Sequence, residues 1–562
     1  MTNHQGTHTL VPIWKQDRTW ILITFILLVP ATFWNLGLLP LLADEPTRGL
    51  ISAEMIFSGD FIVPTMNGWL YFNKPPLYNW ILIGFFELFG NFSELTLRLP
   101  SVIPMWGFAI HIYLYFKQKK DWKVGALVSL IWLTNGRLLI YSSLLGHIDI
   151  LYSWLVFAQF TLMEKFSREQ KWSSFYLWSY LFCLVGFMMK GLPSLPFQAL
   201  TTLALIYDSK QWKKLFHWAH FMGISILIGG TTLYFWMYEK AAPGNLIYWA
   251  EVLFSESSKR TAMEKSVWQT IGHLIGFPFD QIYHLLPWSL LIFFLLRKDF
   301  WKKVKEDDVL RRWGLIFLFN IPIYWLSPDV LPRYLFMLYP VVFLFLAEGY
   351  LQNNRDSDPT YFRWIAGFLA LLIVLSPIAF HYIPSEWIIP GIPWKGVFLF
   401  LAGILCLIAL WRWSVRPIWI VALTLALFRL GFDWIVLPAR RAEMAERHFK
   451  ESAVEVARLT QGQPLTQFFP VPGSPEEPEG HRHRMGPEPI YNDDILYYIT
   501  TERKAVLPIN LRIEDLEENH FYLIYTQQLD TISLPPHNEH YRFNMEWMNK
   551  EIQLVTFNLS EK

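Results

Sequence analysis

Seven charged residues lie beside long apolar stretches, where a charge is costly unless it is solvated or used. They come from distant parts of the chain: Asp44, Glu45, Arg48, Lys74, Asp149, Lys190 and Arg333. A carboxylate in such a place can accept a proton from a hydroxyl group or orient it. Arg holds a phosphate through paired hydrogen bonds, and Lys holds it as a point charge. These residue types therefore favour a site for an anionic substrate.

The same residues also admit structural interpretations. The carboxylates can cap a helix or lie in a solvated turn, and the lysines can extend their ammonium groups towards the membrane surface. Arg333 can anchor the end of a span, and His147 alone is more typical of packing than of ligand binding. For all of these charges except Glu45, a shared cavity for an anionic substrate nevertheless explains the distribution better than independent positions on the surface do.

The composition indicates a membrane protein. The chain has 562 residues, of which 53% are hydrophobic and 17% charged, whereas soluble proteins carry about 25% charged residues. A formal net charge of +1 argues against a nucleic acid partner. The two cysteines, Cys183 and Cys406, lie in apolar runs, so we expect neither a disulfide framework nor a thiolate metal site. We expect no other metal site either.

Apolar stretches close to the thickness of a bilayer recur along the chain and predict about thirteen transmembrane helices. The first stretch follows Lys15 and Arg18 and is too long for the apolar core of a signal peptide. The predicted spans are residues 19–42, 99–116, 124–142, 150–164, 174–189, 192–207, 217–236, 276–296, 313–327, 333–349, 363–382, 395–411 and 416–436.

Lys and Arg concentrate in six loops that fall on one side of the membrane: 117–120, 165–168, 210–214, 297–312, 355–363 and 412–416. The positive-inside rule assigns that side to the cytoplasm. The N-terminus is therefore predicted inside, and residues 43–98, 143–149, 238–275 and the C-terminal tail outside. The expected fold class is an α-helical polytopic protein of the inner (cytoplasmic) membrane, with the seven charged residues on its external face.

The first external segment is predicted to contain two helices. One runs from Asp44–Glu45 to Gly59, with Leu50, Ile51, Met55 and Phe57 against the membrane surface. The other, from Tyr78 to Phe89, is too short to cross and is predicted to be re-entrant or interfacial.

The sequence changes character at about residue 437. Residues 1–437 are predicted to form the membrane domain, and residues 438–562 a small external (periplasmic) α/β domain. The predicted elements of the second are a helix over Ala442–Leu459, strands at Leu465–Val471, Ile495–Ile499 and Phe521–Tyr525, and a mobile loop from Pro472 to Pro489.

Several motifs carry a resemblance to a known family. They are Asp44-Glu45, Gly59-Asp60, Asn67-Gly68, Lys74-Pro75-Pro76, Lys190-Gly191-x-Pro193, Pro287-Trp288-Ser289 and Leu331-Pro332-x-Tyr334. This set resembles the lipid A aminoarabinose transferase and protein O-mannosyltransferase-like family of the glycosyltransferase C superfamily. The resemblance covers most of residues 19–350 and is most specific in the first external segment. Pro46 departs from the pattern, as an extra residue between the acidic pair and Thr47-Arg48.

The resemblance implies a glycosyltransferase C fold and inverting transfer of a sugar from a polyprenyl-phosphate donor, on the external face, to a lipid A-like glycolipid, a protein or another glycan. It implies no cofactor and no nucleotide sugar. The predicted catalytic residues are Asp44, Asp149 and Glu45, and the predicted residues for binding the donor phosphate are Lys74, Arg48, Lys190 and Arg333.

The chemistry suits these residue types. A glycosyl phosphate leaves as an anion, so fixed cations stabilise the charge that develops in the transition state. Asp44 would act as general base towards a hydroxyl acceptor, or orient an acceptor phosphate that is already ionised. The sequence leaves both roles open.

Three other functions compete with this one. A flippase or transporter of a lipid-linked sugar predicts charges deep within the spans and paired broken helices. A glycan ligase or polymerase predicts a large central outer loop as the informative segment. A membrane sensor predicts that the tail binds the ligand and that Asp44 is dispensable.

Overall fold

The computed structural model describes residues 12–258, 267–328, 330–353, 359–384, 389–444, 446–468, 493–526, 533–545 and 550–559. Within these ranges the fold is mainly helical, with a hairpin of two short strands and one five-stranded sheet. The predicted loop from Pro472 to Pro489 lies outside the described residues.

The helices of the first half pack side by side, with α4 against α5 and α7, and α7 against α8 and α9. Between α2 and α3 lies the antiparallel hairpin of β1 (Thr65–Met66) and β2 (Trp69–Leu70). The helices are α1 (Asp17–Phe33), α2 (Glu45–Ser58), α3 (Leu77–Phe89), α4 (Glu94–Lys119), α5 (Trp122–Thr134), α6 (Gly136–Ile140), α7 (Ile148–Arg168), α8 (Trp172–Lys190), α9 (Ser194–Ser209), α10 (Trp218–Ala241) and α11 (Leu246–Ser258).

In the second half, α19 packs against α1 and α17, and α14 packs against α9. Short 3-10 segments cover Trp288–Leu296 and Pro332–Leu335. The helices are α12 (Val267–His284), α13 (Lys298–Glu306), α14 (Asp308–Asn320), α15 (Pro322–Trp325), α16 (Tyr339–Asn353), α17 (Thr360–Leu375), α18 (Ile392–Trp411), α19 (Pro417–Gly431), α20 (Leu437–Glu443), α21 (Arg447–Leu459) and α22 (Asp493–Arg503).

Six helical stretches of the described chain are long and apolar enough to cross a membrane, and two bent pairs raise the number to eight. The chain is therefore a multi-pass membrane protein, while the count of thirteen stays a prediction, because helices such as α9 and α14 fall short of the usual length of a span. The predicted span 276–296 is not straight: Trp268–His284 and Trp288–Leu296 meet at 118°. Pro287 lies at this bend and lacks the N–H that a continuous helix would use.

Helix α2 has the predicted ends but a different environment. Gly59 ends it in the left-handed region, with a φ of 72°. The side chains of Leu50, Ile51 and Met55 have no exposed surface and pack inside the protein, where α2 lies against α3 and α22. The prediction that this face rests on the membrane surface is therefore wrong.

The tail contains the sheet, in the strand order β4-β3-β5-β7-β6. Its two parallel pairs join β3 to β4 and β5, and its two antiparallel pairs join β7 to β5 and β6. The strands are β3 (Leu465–Phe468), β4 (Ile509–Asn510), β5 (Phe521–Tyr525), β6 (His537–Met545) and β7 (Lys550–Phe557). The predicted strands at 465 and 521 are confirmed within the described residues; the boundary at residue 437 and the external location stay predictions.

Two predictions for the tail are corrected. Ile495–Ile499 is not a strand but the middle of α22, where all five residues are buried; a short apolar run does not distinguish a buried helix from a strand. The predicted helix over Ala442–Leu459 is split, because α20 ends at Glu443 and α21 begins at Arg447.

Helix α22 fits closely against residues 43–98. A Cβ atom at Gly49 of α2 would lie 2.6 Å from the ring of Tyr497, so only glycine permits this approach. The Tyr497 hydroxyl donates to the carbonyl of Phe92, and the Tyr498 hydroxyl donates to Glu94 of α4. The tail is thus bonded directly to the segment that begins at Asp44.

Candidate functional site

A cavity of about 730 Å³ lies where the ends of several helices meet. Its walls come from the start of α2, the loop after β2, the turn before α7, the junction of α8 and α9, α15 and the 3-10 segment Pro332–Leu335. Six of the seven predicted residues line it: Asp44, Arg48, Lys74, Asp149, Lys190 and Arg333. Residues that are far apart in sequence therefore share one site.

Asp44 occupies the N-cap position of α2, but its side chain makes no capping hydrogen bond. The residue before it, Ala43, has a φ of 56°, an uncommon conformation for a residue other than glycine. The Asp44 carboxylate accepts a hydrogen bond from Nη2 of Arg333 at 2.6 Å, and its side chain is 62% exposed. The carboxylate is therefore accessible from the cavity.

Asp149 lies in the first turn of α7, between two cations. Lys190 Nζ donates to one carboxylate oxygen of Asp149, and Nε of Arg333 lies 3.1 Å from the other. The Lys190 ammonium also lies 4.2 Å from the centre of the Tyr334 ring, within the range of a cation–π contact. Arg333 thereby joins Asp149 to Asp44, and both cations are fixed in position.

Arg48 and Lys74 bring positive charge to the wall formed by α2 and by the loop after β2. Nη2 of Arg48 donates to the hydroxyl of Tyr71 at 2.7 Å. Nη1 of Arg48 is buried and has no hydrogen-bond partner among the described residues. Lys74 lines the same cavity and is half-buried. Among the described residues that line the cavity, four cations face two carboxylates, which gives a formal surplus of positive charge that suits an anionic ligand.

Glu45 does not line this cavity, and the catalytic role predicted for it does not fit its surroundings. Its side chain has no exposed surface and forms a two-point ion pair with Arg98, at 2.8 and 2.9 Å. It also accepts hydrogen bonds from the backbone N–H groups of Leu42 and Gly146. Glu45 therefore joins α2, α4 and the turn before α7, and positions its neighbour Asp44 relative to Asp149.

Two residues in or beside the cavity, Arg98 and His147, were given no functional role from the sequence. Arg98 is buried in α4 and, besides its pair with Glu45, donates to the carbonyls of Leu36, Leu39 and Pro40. An arginine next to a predicted span was the available signal. His147 lines the cavity, is 3% exposed and was interpreted as a packing residue; a single histidine carries no spacing signal.

The described residues contain no group of three or more His, Cys, Asp or Glu side chains that could hold a metal ion. The residues of the cavity can bind an anion through their cationic side chains, and Asp44 presents an accessible carboxylate to a ligand.

Residues 73–236 match the model of the dolichyl-phosphate-mannose-protein mannosyltransferase family. An undecaprenyl phosphate-alpha-4-amino-4-deoxy-L-arabinose arabinosyl transferase of Edwardsiella ictaluri is 26% identical over 388 residues, which cover 66% of each chain. The protein of the same name in Shewanella sediminis is 26% identical over 341 residues, which cover 58% of this chain and 56% of the relative. These alignments thus span less than two thirds of the relatives' length.

The fold is similar to the crystal structure of ArnT from Cupriavidus metallidurans bound to undecaprenyl phosphate. The TM-score is 0.65 at 16% sequence identity, over 95% of this chain and 98% of the other. The same protein in the apo state gives a TM-score of 0.66. This likeness concerns the fold, which extends beyond the segment that the family model matches. The chain is therefore similar in sequence to dolichyl-phosphate-mannose-protein mannosyltransferases over residues 73–236 and to the arabinosyl transferases over the aligned parts of those relatives, and it is similar in fold to ArnT.

Proposed function

We propose that this protein is an inverting glycosyltransferase that moves a sugar from a polyprenyl-phosphate donor to a lipid A-like glycolipid. The observation that carries the proposal is the cavity in which Asp44 and Asp149 meet Arg48, Lys74, Lys190 and Arg333. The family relatives named for transfer from undecaprenyl phosphate support the same donor class.

The reaction that suits this cavity breaks the bond between the anomeric carbon and the phosphate oxygen. The acceptor oxygen forms its bond to that carbon from the opposite face, and the bonding electrons leave with the polyprenyl phosphate. Negative charge grows on the phosphate as the bond breaks, so the fixed cations stabilise the transition state more than the ground state. Lys74 and Arg48 are the proposed phosphate ligands, because Arg48 retains a buried donor atom without a partner among the described residues.

Asp44 is the proposed group that meets the acceptor, since its carboxylate is the more exposed of the two in the cavity. Towards a hydroxyl acceptor, Asp44 takes the proton as the new bond forms. Towards an ionised phosphate acceptor no proton moves. Asp44 then orients the acceptor by accepting hydrogen bonds from the acceptor's own donor groups. Asp149 holds Lys190 and Arg333 in place, as a positioning residue for the cations.

The proposal includes a topology. We place the N-terminus in the cytoplasm, thirteen spans in the inner membrane, and the cavity and residues 438–562 on the periplasmic side, from the positive charge of six loops. The proposed partners are membrane lipid, the donor and a glycolipid acceptor, or a protein acceptor, with no nucleic acid and no cofactor.

The decisive experiment measures transfer of labelled sugar from undecaprenyl-phosphate-linked 4-amino-4-deoxy-L-arabinose to lipid A in membranes that contain wild-type protein or Asp44→Asn. The matched control is Glu87→Gln, which neutralises an exposed carboxylate on α3 outside the cavity. Transfer by the wild type and the control, with loss in Asp44→Asn at equal abundance, supports the proposal.

Equal transfer by all three proteins would remove Asp44 from the reaction. Movement of the donor between leaflets without transfer to any acceptor would favour the flippase. Loss of ligand response on deletion of the tail, with Asp44 dispensable, would favour the sensor.

A further inference from the structure

His147 combines burial with a lack of partners. Its side chain lies in the turn between Gly146 and α7, is 3% exposed and lines the cavity. Neither Nδ1 nor Nε2 has a hydrogen-bond partner among the described residues. Buried polar groups in proteins are usually paired, so both ring nitrogens are available for a molecule that enters the cavity.

The protonation state of the ring limits what that molecule can be. Burial lowers the pKa of His147, and the nearby guanidinium of Arg333 lowers it further. A neutral imidazole has one N–H donor and one acceptor nitrogen. A phosphate offers only acceptor oxygens and would leave the second nitrogen unpaired. The hydroxyl groups of a sugar donate as well as accept, so neighbouring hydroxyls can pair with both nitrogens.

The cavity already supplies phosphate ligands without His147. Arg48, Lys74, Lys190 and Arg333 carry the positive charge that an anion requires. A neutral ring beside them adds hydrogen-bonding capacity of both kinds and little charge. Its position two residues before Asp149 brings it to the carboxylate side of the same cavity.

We infer that His147 binds the sugar of the donor through its hydroxyl or amino groups and so contributes to the choice of sugar. The inference rests on the proposed function for the identity of the ligand. It assigns His147 to the sugar and leaves the phosphate to Lys74 and Arg48, so the two parts of the donor can be tested separately.

The test compares binding of two lipids to the purified full-length protein: undecaprenyl phosphate, and undecaprenyl-phosphate-linked 4-amino-4-deoxy-L-arabinose. We expect His147→Ala to weaken binding of the sugar-bearing lipid about tenfold, the loss of one or two hydrogen bonds, and to change binding of undecaprenyl phosphate less than twofold. His147→Gln, which keeps a donor and an acceptor, should recover part of the loss. The matched control is His448→Ala, at an exposed histidine of α21.

Equal weakening of both lipids would assign His147 to the structure of the cavity, and no weakening of either would remove it from the site. A thermal unfolding midpoint of ligand-free His147→Gln below that of the wild type would also contradict the inference, because it would show that the His147 ring has a structural partner within the wild-type protein. The wild-type protein could bind the sugar-bearing lipid more tightly than undecaprenyl phosphate and yet transfer no sugar. That outcome would refute the proposed function and would leave the role of His147 unchanged.

Discussion

Two groups of charged residues in this molecule are built from the same side chains and arranged in different ways. One is the inter-helix cluster: Lys119, Lys120, Glu164, Arg168, Asp208, Lys303, Asp307, Asp308, Arg311, Arg312 and Glu348. Its cations and carboxylates meet directly between neighbouring helices, as in Lys303–Glu348 at 2.9 Å and Arg311–Asp208 at 2.8 Å. These pairs connect α13 to α16 and α14 to α9.

The other is the cavity cluster: Asp44, Arg48, Lys74, Asp149, Lys190 and Arg333. Its members surround a space of about 730 Å³, with one carboxylate 62% exposed and one guanidinium nitrogen without a partner among the described residues. Direct pairing fixes helices to one another, whereas charges fixed around a space can act on a ligand. Residue type alone does not separate these two uses; geometry does.

The largest effect is expected at Asp44. Asp44→Asn should lower the transfer rate by about 100-fold or more, the usual contribution of a positioned base or orienting carboxylate. The thermal unfolding midpoint of Asp44→Asn should stay close to that of the wild type, because exposed ion pairs add little stability. Rate and midpoint measured on the same preparation check this. A large drop in both would place Asp44 with the inter-helix cluster instead.

Glu45→Gln should reverse that pattern. It removes one charge of a buried ion pair and leaves Arg98 uncompensated, which typically costs about 3 kcal/mol of stability or more. Thermal unfolding in detergent should show a lower midpoint than that of wild type and Glu87→Gln. If Glu45→Gln kept its stability and lost transfer as Asp44→Asn does, Glu45 would return to the catalytic group.

Lys74→Gln should act on donor binding. Losing one charge-assisted contact to phosphate corresponds to roughly a tenfold rise in KM for the donor, and kcat should fall as well, because the lost cation also stabilises the charge that grows on the phosphate in the transition state. Steady-state kinetics with varied donor measures both, and Lys74→Arg should recover part of the affinity. The control is Lys171→Gln, whose side chain is 62% exposed. An unchanged KM in Lys74→Gln would exclude Lys74 from the phosphate site.

Glu164→Gln probes the inter-helix cluster. Glu164 has no exposed surface and is paired with Lys119 and Arg168, so losing its charge should cost about 2 kcal/mol of stability. Transfer per folded molecule should not change. Stability is read from thermal unfolding, and activity from protein that remains folded. A loss of transfer at full stability would contradict the distinction between the two clusters.

The smallest effect is expected from removal of metal ions. Prior incubation with EDTA should leave transfer unchanged, because the cavity cluster supplies the positive charge from side chains. A loss that is restored by added divalent cation would show that the cavity needs an ion in addition to its arginines and lysines.

Much of the site follows from the sequence, because span order and loop charge place Asp44, Asp149 and Arg333 on one face. The separate roles of Asp44 and Glu45 do not follow. Adjacent residues at a helix start point about 100° apart, and which of them faces the cavity depends on the conformation of Ala43 and on Arg98. Both features belong to the tertiary structure and cannot be predicted from the spacing of residues in the sequence.

The fold shows a similar division. Each predicted span overlaps at least one helix of the described chain, because long apolar runs carry a strong signal, although α1 ends at Phe33, nine residues before the end of the predicted span 19–42. The bend within 276–296 and the helix at Ile495–Ile499 were missed, since both depend on contacts with distant parts of the chain. The inward face of α2 was missed for the same reason: α22, which covers it, comes more than 400 residues later.

The packing of Tyr497 on Gly49 joins α2 to a helix that the ribosome makes much later. More than 400 residues are made between Asp44 and α22. Until α22 emerges, the face of α2 that carries Gly49 has no cover, and a nascent chain stopped after its last span leaves this face bare. The helix that begins beside Asp44 is therefore fully packed only after α22 has been made, and a chain truncated before residue 493 should have lower transfer activity than the full chain.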